Sequence, residues 1–333
     1  MNDAGYALKY YIMKALSVRK YGPLDDLTLD EVENPIPKDK EVLIKVKATS
    51  INYNSLIFTK GKPFIGRFFT GLFNPGQRIP GNDVAGIIEL AGKDVKQFRP
   101  GDEVFGDLAE FGFGTFAEYV TAPERALMLK PACISFEDAA AVPEAGLVAL
   151  QALKDHGDIQ ANQKVLINGA SGGIGTFAVQ IAKHFGAEVT AVCSRRNYSL
   201  VQSLGADHII DYTKEDFTEK KPGFDLIIST IGYRPIRDYK KALKPKGIYI
   251  ATGGAMSQIF QAMLLGPWLS SPGGKRLGNM TLKPNKDLEF LTSLLESGAV
   301  KPVIDKIFSL ENLVRALKYY DGGHASGKII IKT

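Results

Sequence analysis

Cysteine is almost absent: the 333 residues contain two, Cys133 and Cys193, and neither belongs to a Cys-x-x-Cys pair or a Cys/His cluster. A disulfide framework is not expected, and the usage fits a reducing cytoplasm, the compartment expected for this chain. Long apolar runs are missing too. None approaches the ~18 residues needed to cross a bilayer, so no stable membrane insertion is expected. No Lys/Arg block is interleaved with aromatics. The formal charge of +5 comes from 41 basic and 36 acidic side chains, which is mildly basic and not the footprint of a nucleic-acid partner. No internal repeat or low-complexity segment stands out. Residues 1–12 carry charges and lack an apolar core with a small-residue cleavage site. They read as a loose extension, not as a signal peptide.

The chain as a whole has the composition of a soluble globular protein, 45% hydrophobic and 23% charged, and is long enough for one large domain or two ordinary ones. In the first third, residues 41–47 alternate charged and apolar residues. Gly22-Pro23, Pro75-Gly76, Pro80-Gly81 and Pro100-Gly101 punctuate short strands. This pattern predicts a compact, barrel-like β domain. The texture changes near residue 130. A helix with an internal proline is predicted over 137–153, a buried strand over 164–168, and a helix over 172–185 with Ile174, Phe177, Ala178, Ile181 and Phe185 on its apolar face. Further strands are predicted at 188–193, 208–211, 225–230 and 247–252, with helices at 198–204 and 235–243. Strands alternating with helices imply a parallel sheet covered on both faces. From about Leu277 the tail reads strand, helix, strand, helix, strand, and is expected to complete the first domain. The expected division is therefore 1–130 with 277–333, and 131–276.

The strongest motif is Gly169-Ala170-Ser171-Gly172-Gly173-Ile174-Gly175, directly after the strand Lys-Val-Leu-Ile-Asn. Its spacing matches the dinucleotide fingerprint, with Ala170 in place of the first glycine. Small residues let the backbone approach a pyrophosphate, and the helix N-terminus offers unpaired N–H groups to that anion. Residues 170–175 are the expected phosphate cradle; the alternative is a tight strand–helix turn without a ligand. An NAD site carries an acid about 20 residues on, to hold the ribose 2′-hydroxyl. Here the second strand ends in Cys193 and runs into Ser194, Arg195 and Arg196. Guanidinium forks suit a 2′-phosphate, so NADPH is the expected cofactor, with Tyr212 able to close over the same phosphate. Solvated surface is the alternative role for Arg196. Thr230 and Gly232, and Thr252, Gly253 and Gly254, follow strand ends and are expected along the nicotinamide half.

These residues, with others over most of the chain, resemble the medium-chain dehydrogenase/reductase superfamily and, within it, the quinone oxidoreductase group. The matching segments are Ser50-Ile51-Asn52-Tyr53, residues 80–86, residues 99–104, residues 114–119, Ala145-Gly146-Leu147-Val148-Ala149, residues 203–207 and the closing Gly327-Lys328. The resemblance implies a GroES-like β-barrel domain beside a Rossmann domain with a doubly wound parallel sheet, and an active site in the cleft between them. Lys328 is expected with the cofactor-binding set. Zinc members carry Gly-His-Glu where this chain has Gly81-Asn82-Asp83, and a catalytic cysteine near residues 50–55, where this chain has none. The four histidines, at 156, 184, 208 and 324, offer no tetrahedral set, so no metal site is expected.

Without a Lewis acid, simple alcohol oxidation is disfavoured. The resemblance implies hydride transfer from nicotinamide to a quinone or an α,β-unsaturated carbonyl, with the protein supplying position and a donor for the developing oxyanion. By the same resemblance Asn52 and Tyr53 face the nicotinamide and substrate. Asn52 orients the cofactor or donates to a carbonyl; Tyr53 donates a proton or walls the pocket. The family's threonine in the Gly-Leu-Thr-Ala stretch is Val148 here. The aromatic segment 64–76 is expected to cap the substrate cleft, to touch a membrane or to pack, and the stretch 258–269 to pack in the core or at a subunit contact, such as that of a homodimer, with substrate contact as the alternative. An enoyl-thioester reductase using Tyr53 as acid, and a non-catalytic NADPH-binding sensor or structural protein, are the competing readings.

Overall fold

The computed structural model describes residues 12–76, 79–219, 223–231, 234–254 and 256–333. In chain order the strands are β1 (Ile12–Leu16), β2 (Leu29–Glu33), β3 (Glu41–Ser50), β4 (Asp83–Ala91), β5 (Glu103–Asp107), β6 (Tyr119–Pro123), β7 (Met128–Leu129) and β8 (Lys164–Asn168). They continue as β9 (Glu188–Cys193), β10 (His208–Asp211), β11 (Phe224–Ser229), β12 (Leu243–Ala251), β13 (Arg276–Asn279), β14 (Ile304–Ser309) and β15 (Lys328–Lys332). The chain divides into two compact units. One comprises the residues up to Glu144 with Pro284–Thr292 and Ile304–Thr333; the other comprises Ala145–Lys283 and Ser293–Val303.

The first unit is a curled, mostly antiparallel sheet in the order β14-β15-β3-β4-β5-β7, with β6 also paired to β3. β3 is its longest strand, and Val42, Leu43, Ile44 and Val46 are all buried. Apolar side chains from β3, β4, β5 and β6 meet in one core, around Val42, Ile44, Val84, Val104 and Val120. The amphipathic helix Leu313–Asp321 buries Leu313, Ala316 and Leu317 against Leu16, Phe116, Ile329 and Ile331. β1 and β2 form a separate hairpin, tied by an Ala15–Ala117 bridge. Several elements of this unit begin or end at one place. β3 ends at Ser50, the helix Tyr53–Lys60 starts after Asn52, β4 opens at Asp83, β5 closes at Asp107, and β15 opens at Lys328. Asp83 and Asp107 are direct register partners.

The second unit holds a six-stranded parallel sheet in the order β10-β9-β8-β11-β12-β13. With β8 counted as the first strand this is the 3-2-1-4-5-6 order of the Rossmann fold. β8 is nearly all buried, as a strand covered on both faces must be. Tyr239 and Tyr249 stack in the core with ring centroids 4.3 Å apart, beside Leu166, Ile227 and Leu277.

The GroES-like barrel and Rossmann sheet are thus both present, but the division differs from the expected 1–130 and 277–333 against 131–276. The helix Phe136–Ala141 packs on β3, β4 and β15, which brings residues 131–144 into the first unit. The first strand of the tail, β13, pairs with β12 and so extends the Rossmann sheet. Gln180 holds the backbone of Lys301 at both its amide nitrogen and its oxygen, which keeps Ser293–Val303 in the second unit. The helix expected over 137–153 is two helices, Phe136–Ala141 and Pro143–Gln151, because a proline ring clashes with the preceding turn. Among the described residues no helix is long and apolar enough to cross a membrane.

Candidate active site

In the second unit the glycine-rich turn leaves β8 at Gly169, whose φ of +86° suits glycine. The helix Gly173–His184 follows, with Gly172 as its N-cap. A side chain at Gly175 would place its Cβ 2.1 Å from the Gly169 carbonyl oxygen and 2.7 Å from the Ala170 Cα, so only glycine lets the helix sit this close to the turn. At Gly172 a Cβ would meet only the Gly169 carbonyl oxygen, at an ordinary contact distance of 3.5 Å, so this position is not crowded. A pyrophosphate fits this cradle: small residues at 170–173, partly exposed Ser171, and helix N–H groups at its edge. Gly175→Ala is expected to cost about 1–3 kcal/mol of stability and to weaken cofactor binding, checked by chemical denaturation and by nicotinamide fluorescence titration.

Arg195 and Arg196 are exposed in a 3-10 turn directly after β9, with Ser194 partly exposed before them. The turn is anchored by Asn197, whose Nδ2 donates to Ser171 Oγ at 2.8 Å. Asn197 is 6% exposed and was not among the expected site residues. It couples the phosphate cradle to the arginine turn, and it sits beside Arg196 in the sequence. Cys193 is buried, which pushes its thiol up to about 11 and leaves it inert near neutrality. Asp211 ends β10, but its Oδ1 accepts from the Thr213 amide and hydroxyl, bonds that hold its carboxyl below the usual range. Tyr212 is exposed beside it.

Thr230 follows β11 and donates from Oγ1 to the carbonyls of Asn168 and Gly169 at 3.1 and 3.2 Å, locking the glycine-rich turn from behind. Thr252 donates its amide to Ser229 O at 2.9 Å, and a Cβ at Gly253 would meet Thr230 O at 2.6 Å. Gly254 takes a φ of +101°. Residues 230 and 252–254 therefore share one end of the parallel sheet. The expectation for Gly232 lies outside the described residues. The aromatic segment is a turn and a short helix with Phe64, Phe68 and Phe73 exposed and Arg67 stacked over Tyr21 and Phe64. Trp268 is 88% exposed, so the core role expected for 258–269 holds for Gln258 and Ala262 and not for the tryptophan.

In the first unit the converging elements bring together a polar cluster that is far denser than the sequence suggested. Asn52 and Asn82 are buried, as are Asp83, Asp107 and Lys328. The Lys328 ammonium donates to Asn52 Oδ1 and lies 3.5 Å from Asp83 Oδ2. Asn52 Nδ2 donates to the same Asp83 oxygen at 2.8 Å, and Ser50 Oγ donates to it at 2.5 Å. Asn82 Nδ2 donates to Asp107 Oδ1 at 2.9 Å and to Glu144 Oε2 at 2.8 Å. The Glu144 amide donates to Asp83 Oδ1 at 2.9 Å. Lys328, expected among the cofactor contacts, is 3% exposed and fixes which way Asn52 points. Strand β15 turns this first side chain inward, where its charge meets Asp83.

Burial, and then the Asp83 charge, push Asp107 up to about 7. Burial, and then the charges of Asp83 and Asp107, push Glu144 up to about 8; Lys328 opposes both shifts. Tyr53 opens the helix Tyr53–Lys60 and is 43% exposed; partial desolvation raises its phenol above the usual value. Glu144 and Asp107 were not among the expected site residues. A glutamate straight after the helix-starting Pro143, inside an alanine-rich run, was the only local signal for the first. Position 82 is held by a neutral amide and the centre of the cluster by an ammonium, a set of partners that does not fit zinc, which prefers S and N ligands. Among the described residues no group of three His, Cys, Asp or Glu side chains is placed to hold a metal ion.

Comparison with known proteins agrees with this architecture. Residues 38–132 match the family described as alcohol dehydrogenase GroES-like domain, and residues 204–331 match the family described as zinc-binding dehydrogenase. The chain is 36% identical to the 2-methylene-furan-3-one reductase of Solanum lycopersicum, over 96% of this chain and 79% of that protein. It is also 36% identical to the quinone-oxidoreductase QR1, chloroplastic, of Triphysaria versicolor, over 96% of this chain and 98% of that protein. The structure of the quinone oxidoreductase from Coxiella burnetii superposes with a TM-score of 0.86 at 29% identity, covering 97% of this chain and all of that one. The Rossmann order, the glycine-rich cradle and full-length similarity together place the chain in the quinone-oxidoreductase-like group of the medium-chain dehydrogenase/reductase superfamily, a family of nicotinamide-dependent oxidoreductases.

Proposed function

We propose that this chain uses NADPH to reduce quinones or α,β-unsaturated carbonyls by direct hydride transfer. The observation that carries the reading is the polar cluster of Asn52, Asn82, Asp83 and Lys328, which fills the place of a metal set with amides and an ammonium. A substrate that is already an electron sink needs no Lewis acid. When bound, NADPH supplies the hydride from its nicotinamide C4. The residues of 170–175 hold its pyrophosphate, Ser194, Arg195 and Arg196 its 2′-phosphate, and Thr230 with 252–254 line its nicotinamide half. Asn52, with its Oδ1 held by Lys328 and its Nδ2 by Asp83, is a rigid positioning group. Tyr53 stays protonated across the physiological range and offers an O–H to a developing oxyanion.

The two named relatives act on a furanone bearing an exocyclic alkene and on quinones, and both are electron-poor π systems. A panel of quinones, alkenones and enoyl thioesters, followed by NADPH absorbance with and without a chelator, tests the reading. Turnover of quinones and alkenones, unchanged by the chelator, is expected. Turnover confined to enoyl thioesters, with strong loss in Tyr53→Phe, would assign the chain to thioester reduction instead.

A further inference from the structure

Three carboxylates, Asp83, Asp107 and Glu144, surround one ammonium, Lys328, and two amides. Their environments differ. Asp83 has both oxygens occupied, by Ser50, Asn52 and Lys328 on one side and by the Glu144 amide on the other. Asp107 is wholly buried; its Oδ1 accepts from Asn82 Nδ2 and the Ala109 amide, while its Oδ2 is buried with no hydrogen-bond partner among the described residues. Glu144 alone of the three keeps part of its surface open. Its Oε2 accepts from Asn82 and, at 3.5 Å, from Asn54, and its Oε1 accepts from no described residue.

The two hydrogens of Asn82 Nδ2 are thus aimed at an Asp107 oxygen and a Glu144 oxygen, which brings those two carboxyls onto one amide, with an Asp83 oxygen 3.5 Å from the same nitrogen. Two like charges this close in a desolvated setting do not both ionise, and Lys328 is already matched by Asp83. We propose that Glu144 is the proton donor that completes enone reduction, with the cluster behind it holding one proton between Glu144 and Asp107.

This deepens the functional reading above and rests on it. Hydride from the reduced nicotinamide forms a C–H bond at the substrate β-carbon, and the alkene π pair moves to give an enolate. The Glu144 O–H bond then breaks, its proton forms the new C–H bond at the α-carbon, and a carboxylate remains. Solvent returns the proton. The substrate gains two electrons and the nicotinamide loses two. Asp107 acts as a positioning residue: its charge keeps the proton on Glu144. The other groups facing Glu144 are Asp83, Lys328 and Tyr320, the last near Tyr53 as well. Burial and carboxylate neighbours raise Glu144 toward neutrality, where a general acid works best, whereas the Tyr53 phenol is raised further from it.

The test is the pH dependence of kcat for but-3-en-2-one with NADPH, in the wild type, Glu144→Gln and Asp107→Asn. The donor must hold its proton, so wild-type kcat is expected to fall as pH rises through the range near 8. Glu144→Gln is expected to lower kcat roughly 100-fold, to leave KM for NADPH within about twofold, and to lose the falling limb. Asp107→Asn removes a repelling charge, so the limb is expected to move at least roughly half a unit lower. Retention of kcat within about threefold in Glu144→Gln, with the limb intact, overturns the proton-donor role alone. If Glu144→Gln fails to fold, an unmoved limb in Asp107→Asn overturns it. A wild type that leaves the enone untouched overturns the functional reading as well.

Discussion

Lys328→Met is expected to cost about 3–5 kcal/mol of stability at pH 8, measured as the shift in a chemical-denaturation curve against the wild type. The ammonium is 3% exposed and balances carboxylates that are themselves buried, so its removal strands negative charge in a low dielectric. The penalty depends on pH in a defined direction. Asp107 and Glu144 have folded-state pKa values raised above their unfolded ones, to about 7 and 8. Such groups favour the folded state at low pH, where both states hold the proton, and that contribution disappears as pH rises through the folded values. Without Lys328 the carboxyls hold protons more tightly still. The deficit is therefore expected to be largest above pH 8 and to shrink toward pH 5. A deficit that grows on acidification, or one below about 1 kcal/mol at pH 8, would mean that the ammonium does not neutralise this cluster.

Arg195→Ala is expected to reduce the preference for NADPH over NADH by roughly 10- to 100-fold, read from the ratio of kcat/KM for the two cofactors. The loss should fall on NADPH, because the 2′-phosphate is the group the guanidinium fork is proposed to pair with. Arg195 sits in the turn held to the phosphate cradle by the Asn197–Ser171 hydrogen bond. Asp211, the register partner of Cys193 on the neighbouring strand, spends its Oδ1 on the Thr213 amide and hydroxyl. A wild type that prefers NADH, or an Arg195→Ala variant that loses both cofactors equally, would contradict the phosphate pocket.

Local features were readable from the sequence where one segment carries the whole signal. The buried strand, glycine-rich turn and apolar-faced helix follow one another directly within residues 164–184, so their reading needed no tertiary information. The position of Arg195 and Arg196, in a turn directly after β9, was legible in the same way. The carboxylate cluster is different. Asn82 meets Asp107 across 25 residues and Glu144 across 62, and Lys328 reaches Asn52 across 276. No periodicity within one element encodes those meetings; sheet register and strand ends create them. Glu144 therefore looked like an ordinary helix residue, and Lys328 like a cofactor contact. The domain limit was misplaced near 277 for a related reason: β13 is an edge strand, and nothing in its four residues tells which sheet it will join.

The most direct test of the account is the fate of the nicotinamide hydrogen. Enzyme dialysed against a chelator is given an alkenone and NADPH carrying deuterium at the transferable C4 position, and the product is examined by NMR. One deuterium at the β-carbon, formed at the same rate as by undialysed enzyme with the same labelled cofactor, is the expected result. Product with its β-carbon unlabelled, or a rate abolished by the dialysis and restored by a divalent metal, would contradict it.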